Sequence, residues 1–330
     1  MNWKRETEVA LAAVTKAAAL CSDVQSTLVS SDSIEKNDRS PVTIADLGSQ
    51  ALICAILKGA FPEDPIVGEE DTDQLRANDA LRAKVSALVS KHEPAMDEPA
   101  MMRAVEAGGG SAKRDGRFWT LDPIDGTKGF LRGDQYAIAL ALIENGEVVV
   151  GVLGCPNLAA QTNGAAVPLG ALFDAARGEG TRVRPIGAGD ARVVAVDSDE
   201  DIRKARFCES VESAHAAHGK HAAISKILGI EAEPFRIDSQ CKYASVSRGD
   251  AAIYLRLPSR KGYQEKIWDH AAGVIVVEEA GGRVSDVNGK PLDFRAGETL
   301  ANNTGVIVTN GLFHDRVLEA VREVGAAPDA

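Results

Sequence analysis

No Cys-x-x-Cys pair occurs among the five scattered cysteines (Cys21, Cys54, Cys155, Cys208 and Cys241). That excludes a zinc ribbon, and an odd count without regular spacing argues against a disulfide framework. Buried free thiols in a reducing compartment are expected instead. No apolar run reaches the length that spans a bilayer. The first residues, Met1 to Glu6, are polar and lack the apolar core of a secretory signal, so a soluble cytoplasmic protein with no membrane partner is expected. Positive charge is also short: Lys plus Arg number 37 against 48 Asp plus Glu, a formal charge of −11. Such a surface repels nucleic acid polymers and anionic lipid. It still admits a small anion where metal ions or a local basic pocket offset the repulsion. Two phosphate-handling elements are missing as well. Gly108-Gly109-Gly110-Ser111-Ala112-Lys113 lacks the G-x-x-x-x-G-K-[ST] order and reads, with Met96 to Met102, as a mobile surface connection. No Cys-x5-Arg element offers a cysteinyl-phosphate route. No internal repeat is present, and nothing points to an obligate protein partner.

What is present is an ordinary globular composition, 45% hydrophobic and 26% charged over 330 residues, enough for a large core and two lobes. Helical spacing of apolar residues predicts helices over 7–28, 41–58 and 75–89. The strongest β signal is the pair of apolar runs 137–143 and 148–153 around Asn145-Gly146, a dipeptide suited to the positive φ values of a hairpin turn. Shorter strands are expected at 118–121 and 171–176. Beyond Gly187-Ala188-Gly189 strands and helices alternate: strands at 193–196, 251–257 and 306–308, helices at 213–228, 269–280 and 312–324. The expected lobes are residues 1–187, with most of the acidic candidates, and residues 188–330.

Four acidic sites stand out by their surroundings. Asp46 lies near the start of a helix, and Glu69-Glu70 follow Ile66-Val67-Gly68. Asp122 and Asp125 flank Pro123-Ile124 at a strand end, and Asp269 opens an apolar helix. Pro123 forces a non-helical turn that can bring Asp122 and Asp125 toward one point. Gly126 permits close approach of a ligand, Thr127 adds a hydroxyl, and a helix starting there would aim free N–H groups at an anion. Oxygen donors of this kind select Mg²⁺ or Mn²⁺ over zinc or copper. Taken singly, Asp46 and Asp269 read better as helix caps than as ligands, and only the whole set points to metal chemistry.

That set resembles the inositol monophosphatase superfamily. Leu121-Asp122-Pro123-Ile124-Asp125-Gly126-Thr127 is similar to its first signature, Trp268-Asp269-His270-Ala271-Ala272-Gly273 to its second, and Gly68-Glu69-Glu70 to its third acidic element. Within it, the bisphosphate nucleotidase branch is resembled at Ser40–Thr43, Gly116–Trp119, Lys128–Gly133, Val211–Ser213, Asp238–Gln240, Tyr254–Pro258 and Tyr263–Trp268. The resemblance implies an α+β fold, a layered αβαβα sandwich with the active site between two lobes. It implies removal of the 3′-phosphate from a small bisphosphorylated nucleotide, with two or three Mg²⁺ ions per site and inhibition by lithium. An inositol-phosphate or sugar-phosphate phosphatase with the same metal chemistry is the alternative, and a non-catalytic nucleotide sensor a remote one. Glu69, Asp122 and the Ile124 carbonyl would hold one metal, and Asp122, Asp125 and Asp269 a second. Asp46 and Thr127 would orient and deprotonate the attacking water. Gly126 and Thr127 would cradle phosphate, and His215, Ser239, Lys242 and Arg256 would surround the nucleotide. The stretches 77–102 and 159–167 differ from the family pattern and carry no expected catalytic residue.

Overall fold

A computed structural model describes residues 2–30, 40–112, 115–161, 169–211, 218–258 and 262–326. In chain order the elements are α1 (Lys4–Ser30), α2 (Ser40–Ala60), β1 (Ile66–Gly68), α3 (Asp73–Ala77), α4 (Asp79–His92), α5 (Glu98–Glu106), β2 (Arg117–Asp125), α6 (Thr127–Arg132), β3 (Ala137–Glu144), β4 (Glu147–Ala159), β5 (Leu169–Ala176), β6 (Gly180–Pro185) and β7 (Arg192–Val194). A short 3₁₀ turn at Ile202–Lys204 precedes β8 (Phe207–Glu209), α7 (His218–Leu228), β9 (Phe235–Arg236), α8 (Cys241–Ser247), β10 (Ile253–Arg256), α9 (Ala271–Glu278), β11 (Arg283–Ser285), β12 (Val306–Thr309) and α10 (His314–Glu323).

Two sheets result. The first runs β1-β2-β3-β4-β5-β6-β7 in spatial order, and only the β1–β2 pair is parallel. The second runs β11-β12-β10-β8-β9. Side chains alternate across a strand, and here the alternation sorts residues into different cores. On β3, Ile138, Leu140 and Leu142 pack with α1 and α2, whereas Ala137, Ala139, Ala141 and Ile143 face α8 and α9. On β12, Val306 and Val308 join that second core while Ile307 packs on the far side with α10. Helices, sheet, helices, sheet, helices therefore follow one another, which is the αβαβα layering expected from the resemblance.

The hairpin forms as the sequence predicts, with Asn145 at φ 52° and Gly146 at φ 79°. The 75–89 helix is split between α3 and α4, and Asn78 caps the second piece by accepting from the Leu81 amide at 3.0 Å. The expected mobile connection is not one. Residues 98–106 form α5, capped by Asp97 and tolerant of Pro99 because it occupies the first helical turn. The three glycines that follow pack against the sheet: the Gly110 amide donates to the Ile66 carbonyl at 2.8 Å. A Cβ on Gly110 would sit 2.6 Å from that oxygen, and one on Gly108 would sit 2.5 Å from Gln50 Nε2. These glycines serve close approach, not flexibility. All five cysteines are buried free thiols. Among the described residues no helix is long and apolar enough to cross a membrane.

Candidate active site

The acidic residues meet where β2 ends. Parallel pairing sets Gly68 opposite Leu121, and the Glu69 amide donates to the Leu121 carbonyl at 3.2 Å, so Glu69 emerges beside Asp122. Gln50 on α2 holds this loop. Its Nε2 donates to the Glu70 carbonyl at 2.6 Å and its Oε1 accepts from the Glu70 amide at 3.1 Å. Proline cannot donate to a ladder, and the β2–β3 register shifts between Asp122 and Asp125. The Ser49 hydroxyl donates to the Pro123 carbonyl at 3.2 Å, tying the helix that carries Asp46 to the strand end. The Ile124 amide donates to Asp122 Oδ1 at 3.1 Å. Gly126 follows in the left-handed region, φ 90° and ψ 42°, and Thr127 opens α6 exposed to solvent.

From the other side come α8 and α9. Ser239, at φ 65°, packs on Gly126 so closely that a Cβ on the glycine would lie 2.8 Å from the serine's. The Gln240 amide donates to Asp125 Oδ2 at 2.5 Å. The same residue's side chain donates to the Trp268 carbonyl at 2.9 Å and accepts from the Gly273 amide at 3.1 Å. One buried glutamine thus links Asp125 to the segment bearing Asp269. Lys242 is buried, with its ammonium 5.2 Å from the Tyr254 ring centre. Arg256 closes β10 and bonds two carboxylates, Glu265 (Nε, 2.8 Å) and Asp269 (Nη2, 3.3 Å).

The electrostatics are those of a site short of positive charge. Asp122 is 2% exposed. Burial first, then the charges of Glu69, Asp125, Asp269 and Asp46, push its pKa well above the ordinary range. Asp46 is pushed up the same way by burial, then Glu70 and Glu69. Asp125 rises to about 6 through burial and Asp269, with Lys242, Arg256 and the Gln240 amide opposing. Glu69 sits at the solvent-facing mouth, yet enough protein surrounds its carboxyl that partial desolvation heads the causes raising it to about 7. Asp269 and Glu70 follow, and a hydrogen bond with Asp122 opposes. Burial lowers Lys242, with Asp125 opposing. Buried carboxylates that repel one another need a counter-charge. All the donors are hard oxygens, so the set fits a divalent ion such as Mg²⁺ or Mn²⁺ and lacks the thiolates and imidazoles of a zinc or copper site.

The structure therefore brings together Asp46, Glu69, Asp122, Ile124, Asp125, Gly126, Thr127, Ser239, Lys242, Arg256 and Asp269. His215 lies outside the described residues. His270 is fully buried and contacts Tyr243 and Glu265. Four supporting residues were not expected at the site: Ser49, Gln50, Gln240 and Glu265. Ser49 and Gln50 are ordinary helix residues by pattern. Gln240 and Glu265 had a signal, their places in the Asp238–Gln240 and Tyr263–Trp268 segments.

Residues 2–326 match the family model described as the inositol monophosphatase family. The chain belongs to that family. Among curated relatives, a protein of Schizosaccharomyces pombe (strain 972) named 3′(2′),5′-bisphosphate nucleotidase is 46% identical, over 98% of this chain and 97% of its own. One of the same name from Emericella nidulans is 43% identical over 98% and 99%. One from Arabidopsis thaliana named 3′,5′-bisphosphate nucleotidase 2 is 44% identical over 98% and 97%. Solved structures agree in fold alone. The inositol monophosphatase of Anabaena (Nostoc) sp. PCC 7120 superposes with a TM-score of 0.65 at 21% identity, covering 99% of this chain and 98% of that one. The Zymomonas mobilis inositol monophosphatase does so with 0.64 at 19%, covering 98% and 99%.

Proposed function

We infer that this protein hydrolyses the 3′-phosphate of adenosine 3′,5′-bisphosphate, giving AMP and phosphate, with 3′-phosphoadenylyl sulfate as a further substrate and Mg²⁺ as cofactor. The names of relatives 39–46% identical over nearly the whole chain support the substrate class. One structural observation carries the reading. Five carboxylates converge at the end of β2, and two cations, Lys242 and Arg256, act on the same Asp125 from the opposite side. An acidic metal site alone cannot take a second phosphate, whereas a lysine and a planar guanidinium can.

Glu69, Asp122, Asp125, Asp269 and the Ile124 carbonyl would hold the metal ions. When bound, Mg²⁺ would neutralise these carboxylates and act as a Lewis acid toward the scissile phosphoryl group. The chain's own residues do the rest. Asp46 and Thr127 orient the attacking water, and Asp46 accepts its proton. Gly126 and Thr127 present backbone amides at the start of α6 to the phosphoryl oxygens. Lys242 and Arg256 bind the phosphate that stays, and Ser239 contacts the sugar. Water attacks phosphorus in line, the bond to the ribose 3′-oxygen breaks, and that oxygen takes up a proton from solvent as it leaves, with no phospho-enzyme.

The test is phosphate release from adenosine 3′,5′-bisphosphate, inositol 1-phosphate and fructose 1,6-bisphosphate at matched Mg²⁺, with chelator as control. The bisphosphorylated nucleotide is expected to be hydrolysed best. A preference for inositol 1-phosphate would move the substrate assignment within the family, and binding without release would make the protein a sensor.

A further inference from the structure

Arg256 stands between two carboxylates that are not equivalent. Its Nε lies 2.8 Å from Glu265 Oε2, and its Nη2 lies 3.3 Å from Asp269 Oδ2 and 3.5 Å from the Tyr263 hydroxyl. Glu265 is buried, 6% exposed. The same Oε2 is 3.3 Å from His270 Nε2, and His270 Nδ1 is 2.6 Å from the Tyr243 hydroxyl. Tyr243 and His270 sit in the packed layer formed by α8 and α9. Glu265 is thereby fixed from behind by a chain of buried groups rooted in the core. Glu265, Asp269 and His270 also approach one another within 4.8 Å, the spacing of a metal triad. Glu265 already faces the arginine and the histidine, however, and a cation there would meet the guanidinium. Its geometry is that of a counter-ion.

Arginine does not give up its charge in a protein. Were Glu265 neutral, Asp269 would be the nearer remaining anion, and the planar fork would turn onto it. That would engage Asp269 and pull the Nη edge away from an incoming phosphate. We propose that Glu265 is a positioning residue: by anchoring Arg256 through Nε it limits the guanidinium's hold on Asp269 to the one Nη2 contact at 3.3 Å, aims the Nη edge at the second phosphate of the substrate and keeps Asp269 able to bind metal. This rests on the proposed function.

The experiment compares the Mg²⁺-loaded wild type with Glu265→Gln, Arg256→Gln and the double variant. The substrates are adenosine 3′,5′-bisphosphate and 3′-AMP, which lacks the 5′-phosphate. The ratio of the two kcat/KM values cancels any loss of folded enzyme. Glu265→Gln is expected to lower that ratio by about tenfold, through KM for the bisphosphate, and to change it no further when Arg256→Gln is already present. Calorimetric Mg²⁺ titration without substrate is expected to show weaker binding in Glu265→Gln and recovery in the double variant. Arg256→Lys, which keeps the charge but not the fork, reaches the same point without touching the buried glutamate and is expected to lose the ratio too. An unchanged ratio in Glu265→Gln or Arg256→Lys overturns the inference, as does an equal effect of Glu265→Gln with and without Arg256. A wild type that does not prefer the bisphosphate overturns the proposed function instead, and the Mg²⁺ titration then still decides whether Glu265 keeps Asp269 able to bind metal.

Discussion

Asp125→Asn is expected to stabilise the protein and inactivate it, depending on what else is in solution. In the metal-free protein the Asp125 carboxyl titrates at about 6, against an ordinary 3.8, because burial and Asp269 outweigh the help of Lys242, Arg256 and the Gln240 amide. A rise of that size corresponds to at most about 3 kcal/mol. Between the two values the folded state holds a proton that the unfolded state has released, so stability falls as pH rises from about 3.8 to about 6 and stays low above that. Asparagine removes the charge and keeps an oxygen for the Gln240 amide. With chelator at pH 8 the variant should therefore be more stable by up to about 3 kcal/mol, and the advantage should vanish near pH 4. Mg²⁺ at a thousand times its Kd should reverse the order, since it adds about 4.1 kcal/mol to the protein that binds it. Urea unfolding of both proteins across pH 4–8, with chelator and with Mg²⁺, measures this. A variant less stable than wild type in chelator at pH 8, or one whose advantage does not change with pH, would show that the Asp125 charge is not what destabilises the metal-free protein.

Asp46→Ala should lower turnover at least about a hundredfold while nucleotide binding persists in an equilibrium titration; near-normal turnover removes Asp46 from the mechanism. His314 is fully buried between Ser285 and Thr309, at 2.8 and 3.0 Å. Burial, then Arg283, lower its pKa to about 4. The unfolded state takes up a proton that the folded state refuses, so this residue's contribution is whole above pH 6.5 and is lost as pH falls toward 4. His314→Gln should flatten that part of the stability profile, and an unchanged slope counts against it. Gly110→Ala forces a methyl toward the Ile66 carbonyl and should cost about 1–3 kcal/mol, read from the urea midpoint; an unchanged midpoint contradicts the close packing. Lithium in large excess over Mg²⁺ should suppress phosphate release, and full activity would argue against a displaceable magnesium ion.

The parts of the fold legible in the sequence are those whose signal is local. Asn145-Gly146 between apolar runs specifies a hairpin wherever it sits, and α1, α2 and α10 announce themselves by spacing, while α9 shows only as a continuous apolar run. Helix α5 was hidden because Pro99 and the neighbouring glycines resemble a loop until one sees that the proline occupies the first turn. Helix α8 was hidden for another reason. All seven of its residues are buried, so no polar face sets up a period. The carboxylates were legible because their flanking residues are distinctive. Their supports were not, since Gln50 and Gln240 act on residues 20 and more than 25 positions away, and no local pattern encodes such a partner.

The middle helical layer also orders events in the life of the chain. Helices α8 and α9 are covered by one sheet on one side and by the other sheet on the other, and an amphipathic stripe cannot hold them to either alone. They can settle only once both sheets exist. Ser239, Lys242 and Asp269 ride on or beside those helices, so a half-folded chain has the Asp122–Thr127 turn without the groups that complete it. Recovery of enzyme activity during refolding should accordingly trail recovery of helical and sheet signal, and a truncated or misfolded chain would not carry a partly competent phosphatase site.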